Sequence, residues 1–310
     1  MKQNRRNFIR TSATASAALL IPSLDAFSKA DKPSDTKNNK CELKIMATNW
    51  GFEGSMEQFC ARAKKEGYDG VELWWPIDKK AQEEMFAALK TYTLEVGFLC
   101  GGSQADPQEH LAFYQKMVNA AARQNIQRPL YINNHSGRDH FTFEQNAKFI
   151  EHTIKLSKET GIPVLHETHR GRILFAAHIA RQFIEKFPDL RLTLDISHWC
   201  NVHESLLADQ QETVTLALER VDHIHARIGH QEGPQVNDPR APEWENTVKH
   251  HFEWWDKVVE RKRRNGERMT FLTEFGPADY MPTLPYTRQP LGDQWAINVY
   301  MMNLLRKRYA

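Results

Sequence analysis

Short apolar runs alternate with longer amphipathic stretches along almost the whole chain. The runs are rich in Val, Ile, Leu and Phe, are too short for helices, and are bounded by Gly, Pro, Asn and Asp. That is how strands buried on both faces read. The stretches between them carry apolar residues at three- and four-residue spacing, the period of a helix packed on one side. The pattern predicts strands at 43–49, 70–75, 95–100, 129–133, 163–167, 191–196, 223–228 and 269–274. It predicts helices at 55–66, 79–92, 107–124, 143–159, 174–187, 204–220, 242–265 and 293–307. Asp106 is placed to cap the third helix, and Gly161 and Pro188 to stop the fourth and fifth. A long loop, 229–240, follows the seventh strand.

Strict strand–helix alternation argues for a parallel sheet. Eight such units in about 270 residues predict a closed (β/α)8 TIM barrel, one domain over residues 41–310. No Pro/Gly/Ser-rich break marks a linker. The turn after the first strand, Ala47 to Phe52, lacks the glycine-rich fingerprint that cradles a pyrophosphate, which argues against a dinucleotide fold.

The first 30 residues are read as separate from that domain. Asn4-Arg5-Arg6-Asn7-Phe8-Ile9-Arg10 resembles a twin-arginine export signal. A modestly apolar stretch to Ile21 and the small-residue site Ser28-Lys29-Ala30 follow in the expected order. Residues 31–40 read as a polar, flexible leader. No segment approaches the ~20 apolar residues of a membrane span. Cys41 lacks the apolar residues that precede a lipid-modified cysteine, so a soluble, exported, periplasmic protein is expected. Residues 1–30 carry five Lys/Arg against one Asp, so their removal takes the formal charge from +2 to −2. A mature chain of that charge offers no steering field for nucleic acid. The run Arg261-Lys262-Arg263-Arg264 falls at the end of a long helix, where positive charge favours the dipole. Cys41, Cys60, Cys100 and Cys200 are too widely spaced for a thiolate zinc site, and their spacing selects no disulfide.

The candidate chemistry lies where strands five to eight end. Glu167, Asp195, His225 and Glu274 each close one of these runs. Singly, each has an ordinary explanation: an ion pair with Arg170 or Arg172, a helix cap, a core histidine, a loop carboxylate. Together, at the ends of adjacent barrel strands, they suggest one divalent cation at the barrel mouth, since three carboxylates and an imidazole suit hard-to-intermediate ions. Manganese is expected, with magnesium, cobalt or zinc compatible. Alternation along the strands puts Leu165 on the side of Glu167, and His223 and Arg227 on the side of His225. His223 lies deeper and reads as a core histidine.

The order Glu167, Asp195-Ile196-Ser197-His198, His223-Ile224-His225, Thr273-Glu274-Phe275-Gly276 resembles the xylose-isomerase-like superfamily of sugar isomerases and epimerases, nearest the ketose 3-epimerase type. Gly70-Val71-Glu72-Leu73-Trp74 also fits, and the resemblance spans roughly residues 43–306. It implies that Glu167, Asp195, His225 and Glu274 bind the metal, that Glu167 and Glu274 also move protons on a sugar, and that His198 contacts substrate oxygens. The chemistry is coherent, because a metal near the carbonyl stabilises the enediolate formed when a neighbouring carbon loses its proton. Two departures stand out. Thr168-His169-Arg170-Gly171-Arg172 after the fifth strand is unusually basic, and Arg227 follows His225 by two residues. With Glu72, the residues His169, Arg170 and Arg227 are read as substrate contacts, and the arginines suit a carboxylate, a phosphate or a highly oxygenated keto-glycoside. Trp50, Trp74, Trp75 and Phe98 are placed to stack on a sugar or simply to pack.

The expected activity is thus isomerisation or epimerisation of a sugar or keto-sugar by proton abstraction beside its carbonyl. A lyase or hydratase acting on 3-keto sugars or 3-keto-glycosides with the same site is the alternative, and a sugar-binding protein is a third. A DNA-repair endonuclease of the same fold fits poorly with export and a −2 mature chain. No membrane partner is expected, and a homo-oligomer is left open.

Overall fold

The computed structural model describes residues 41–310. The twin-arginine signal and the polar leader lie outside these residues.

Eight parallel strands close into a barrel, each hydrogen-bonded to the next and β8 to β1. They are β1 (Leu43–Thr48), β2 (Gly70–Trp74), β3 (Glu95–Gly101), β4 (Ile132–His135), β5 (Val164–Glu167), β6 (Leu192–Leu194), β7 (Val221–His225) and β8 (Met269–Thr273). Around them run α1 (Met56–Glu66), α2 (Lys79–Tyr92), α3 (Pro107–Arg123), α4 (Phe143–Thr160), α5 (Ala177–Lys186), α6 (Ile196–Val202), α7 (Gln211–Leu218), α8 (Glu245–Asn265) and α9 (Gln294–Tyr309). The predicted TIM barrel is therefore the observed fold.

The caps follow local chemistry. Ser55 and Gln58 form a reciprocal capping box on α1, Thr142 and Gln145 another on α4, and Asp106 accepts from two backbone amides at the start of α3. Gly161 and Gly266 end α4 and α8 at positive φ, where a side chain would strain the backbone. The basic run ending α8 is bound within the fold, as Lys262 pairs with Asp222 and Glu267, and Arg261 caps the carbonyls of Glu219 and Val221.

Two apolar layers hold the barrel. The large one lies between strands and helices and includes Cys60, Trp254 and Trp255. The small one fills the barrel interior with Met46, Tyr131, Leu165 and Leu272, which caps the lower barrel and leaves its C-terminal mouth to polar groups. Gly97 makes room for it, because a Cβ there would lie 2.4 Å from the Tyr131 ring. All four cysteines are free thiols. No described helix is long and apolar enough to cross a membrane.

Three expectations need correction. The seventh strand runs from Val221 to His225 rather than over 223–228, so Arg227 lies beyond its end. The fourth strand begins at Ile132 rather than at 129, because Pro129 cannot donate to a ladder and the pairing with β3 starts at Phe98–Ile132. The strand therefore runs on to His135. The sixth strand ends at Leu194, and a short helix starts immediately. Asp195 is its N-cap, accepting from the Ser197 amide, and no helix begins at 204. The region to Arg220 holds one turn of 3-10 helix and then α7.

Candidate metal and sugar site

Glu167, Asp195, His225 and Glu274 converge at the C-terminal mouth of the barrel. One ligand-type atom from each lies within 4.8 Å of the others, and all four residues are buried. Adjacent strand ends bring them together. Glu167 is the last residue of β5 and His225 the last of β7, while Asp195 and Glu274 immediately follow β6 and β8.

His225 sits at the centre. Its Nδ1 is 3.0 Å from Glu274 Oε2 and 3.6 Å from Glu167 Oε2, and its Nε2 is 3.3 Å from Glu72 Oε1. Burial opposes a charge on this ring, but Glu274, Glu167 and Glu72 together raise its pKa well above the ordinary value. On Glu167, the Oε2 atom accepts from Asn133 Nδ2 at 2.6 Å and lies 2.8 Å from His135 Nε2. Its other oxygen is buried without a hydrogen-bond partner. Burial opposes ionisation here too, yet His135 and His225 hold the carboxyl well below the usual range. Asp195 is the exception. Burial pushes its carboxyl up to about 6, and the pairing with Arg227 only partly offsets this.

Arg227 is nearly inaccessible, and it is the permanent cation of the cluster. It pairs with Asp195, lies 3.6 Å from Glu274 Oε2, and has its guanidinium 4.7 Å from the Tyr280 ring centroid. Four buried carboxylates, those of Glu72, Glu167, Asp195 and Glu274, thus face one permanent cation, Arg227, and the imidazoles of His135, His223 and His225. That excess of negative charge, with an orphaned Glu167 oxygen, fits a divalent cation. The donor set is three carboxylates and an imidazole with no thiolate, so it matches the expected class of ion.

A cavity of about 190 Å³ opens above this cluster. Glu72, Glu274, Arg227, His135, His169, Trp50, Trp74 and Tyr280 contribute to its wall. Trp50 is held there because Gly276 has no side chain, as a Cβ would lie 2.3 Å from the indole ring. Trp50 meets Tyr280 edge-on at 4.9 Å, which makes an aromatic flank.

The remaining predicted contacts fall in two groups. His169 lines the cavity between His135 and His198, with ring centroids 4.6 and 3.9 Å away. Glu72 forms part of the wall while also reaching His223 Nε2 at 3.4 Å. His198 and Arg170 do not wall the cavity. His198 is fully buried, with Nε2 2.9 Å from Arg227 Nη2, and Arg170 donates to Asn201. Trp75 and Phe98 pack on each other at 5.0 Å within the outer core. His223 stacks on Tyr131 inside the barrel, as its depth suggested.

Sequence reasoning missed Asn133, His135 and Tyr280. The first two escaped because β4 was placed three residues early. Tyr280 comes from the irregular segment after β8, where no periodicity identifies an inward side chain.

The chain belongs to the xylose isomerase-like TIM barrel family, whose pattern it matches over residues 60–258. More particularly, solved structures of quite different activities share its fold. A 3-keto-D-glucoside 4-epimerase from E. coli aligns with TM-score 0.54 and 14% identity, covering 86% of this chain and 99% of that one. A probable 3-DHS dehydratase from Bacillus anthracis aligns with TM-score 0.54 and 17% identity, covering 85% and 98%. A family 2 AP endonuclease from Brucella melitensis gives 0.52 and 15%, covering 76% and 93%. No curated protein sequence matches the chain.

Proposed function

We propose that this protein is a divalent-metal-dependent sugar isomerase or epimerase that removes a proton from the carbon beside a sugar carbonyl. The observation that carries this reading is the buried convergence of Glu167, Asp195, His225 and Glu274 under an open cavity. A divalent ion held by these four residues would draw charge from a carbonyl and its neighbouring hydroxyl, which makes the adjacent C–H acidic.

The chain's own groups supply the rest. Glu274 lines the cavity and lies within reach of a bound sugar, so it can take or return a proton. Glu167 offers the oxygen that has no hydrogen-bond partner, while Asn133 and His135 fix the other. Two carboxylates on different strands can act on the two faces of one carbon, which inversion of configuration requires. Trp50 and Tyr280 give a sugar face an apolar flank. Arg227 and His169 offer donors to sugar oxygens.

A second reading, a lyase or hydratase acting on a 3-keto sugar or 3-keto-glycoside, is favoured by the arginine- and histidine-lined side of the cavity. Arg227, His135 and His169 line the cavity where a departing oxygen needs a donor. The dehydratase and the keto-glucoside epimerase that share the fold fit either reading. Export through a twin-arginine leader belongs to the same proposal, and the mass of the mature chain from a periplasmic fraction tests it.

Incubation of the metal-loaded protein with keto sugars in deuterium oxide separates the readings. Deuterium beside the carbonyl in an isomer otherwise of equal mass supports epimerisation. Label with gain or loss of water, or with a released aglycone, supports the second reading. Binding of a keto sugar without any exchange would overturn both in favour of a sugar-binding protein.

A further inference from the structure

Beside the sugar cavity lies a second hollow of about 290 Å³, on the same face of the barrel. It is formed by the segments after β2, β3 and β5 and by Phe113 and Met117 of α3. Trp74, Ile77, Phe113, Met117, Gly102 and Arg172 contribute to it. The two hollows share Trp74 and Leu99, so they are neighbours with the Trp74 indole as their common wall.

Three features mark this groove as more than a packing defect. Trp74 is 52% exposed and Ile77 66% exposed, although each is a large apolar side chain at the catalytic mouth. The Trp74 ring is held edge-on to His135 at 5.5 Å, so it stands as a fixed wall with one face uncovered. The only side-chain hydrogen bond that Arg172 makes among the described residues goes to the Gly102 carbonyl, at 3.1 Å, and no described carboxylate lies within ion-pair distance of its guanidinium. A flat apolar group in the groove would cover Trp74 and Ile77 and meet the Arg172 guanidinium.

We propose that this groove is a subsite for an aromatic aglycone, so that the substrate is a keto-glycoside rather than a free keto sugar. The proposal rests on the function proposed above and specifies its substrate class. The reacting sugar occupies the cavity over Glu274, and the glycosidic oxygen passes Trp74. The wall that the two hollows share at Trp74 and Leu99 is what favours one molecule reaching over it, rather than two separate ligands.

Titration calorimetry on the metal-loaded protein tests this with phenyl and methyl 3-keto-glucosides. The phenyl glycoside is expected to bind roughly tenfold more tightly or better, as a buried phenyl ring would provide. Trp74→Ala should bring the two within about twofold. Ile77→Ser, remote from the sugar cavity, should weaken only the phenyl glycoside and leave methyl glycoside binding unchanged. Equal affinities in the unaltered protein, with deuterium exchange intact, would overturn the aglycone subsite and leave the proposed chemistry standing. If neither glycoside bound and no keto sugar exchanged, the functional reading would fall and the subsite with it.

Discussion

Glu72 approaches His225 from the side opposite the other carboxylates, with Oε1 3.3 Å from Nε2, while Nδ1 faces Glu274 and Glu167. This arrangement assigns the two ring nitrogens different tasks. Nδ1 is turned to Glu274 and Glu167, while Nε2 lies between the Glu72 carboxylate and the Asn133 amide nitrogen, 3.2 Å away. Burial opposes charge on Glu72, yet His225 and His223 bring its carboxyl down to about 2, so it stays ionised. A carboxylate behind a metal-binding histidine fixes the ring and raises its basicity. Glu72→Gln is expected to weaken manganese binding about 10- to 100-fold in a chelator competition assay. A raised KM with metal affinity unchanged would instead assign Glu72 to the substrate.

The second prediction concerns the buried charge. Arg227 is the permanent countercharge to Asp195 and also approaches Glu274. Removing one partner of a buried pair costs roughly 3–5 kcal/mol because the other is stranded. Arg227→Met should therefore lower the melting temperature of the metal-free protein. Manganese should restore more of it in the variant than in the parent, since the ion would supply the missing positive charge. Melting curves with and without EDTA decide this. An equal manganese shift in both proteins would mean that Arg227 and the ion do not share these carboxylates.

The four-residue cluster was legible in the sequence because strand ends are easy to locate when apolar runs stop abruptly. Glu167 and Glu274 lie at such stops, Asp195 one residue before its predicted stop and His225 three before, and barrel topology brings consecutive strand ends together. The inward direction of Leu165 followed from the two-residue period, and it lies inside the barrel. Asn133 and His135 were hidden by a local ambiguity. Pro129-Leu130-Tyr131 reads as the start of a strand, while the ladder begins one residue after Tyr131, whose ring fills the barrel. The burial of His198 behind Arg227 was not legible either. It depends on a helix starting directly at Asp195, and seven residues are too few for a helical period to show.

The third prediction separates metal binding from proton transfer. An amide can ligate through its oxygen but cannot act as a base at neutral pH. Glu274→Gln and Glu167→Gln should each reduce turnover by ~10²-fold or more while the protein still takes up metal. The protein purified without chelator should hold close to one divalent ion per chain, as the single four-residue cluster implies. Elemental analysis alongside steady-state kinetics gives both readings. Near-normal turnover in either metal-loaded variant would show that the residue concerned is not the proton carrier.

The last prediction concerns stability against pH and uses a histidine remote from the ligand cluster. His251 in α8 is fully buried, with Nδ1 2.9 Å from the Thr247 carbonyl and Nε2 3.3 Å from the Gly229 amide nitrogen. The amide must donate to Nε2, so the ring is neutral with its proton on Nδ1. Burial lowers its pKa from 6.5 to about 4. Between these values the unfolded chain binds a proton that the folded one does not, so unfolding becomes easier as pH falls from about 6.5 towards 4. One such group contributes a slope of up to roughly 1.4 kcal/mol per pH unit within that window, and its contribution levels off outside it. Urea unfolding of the parent and of His251→Gln from pH 4.5 to 7.5 should show a shallower acid-side slope in the variant, whatever the difference at neutral pH. Parallel profiles would show that His251 is not titrating in this range.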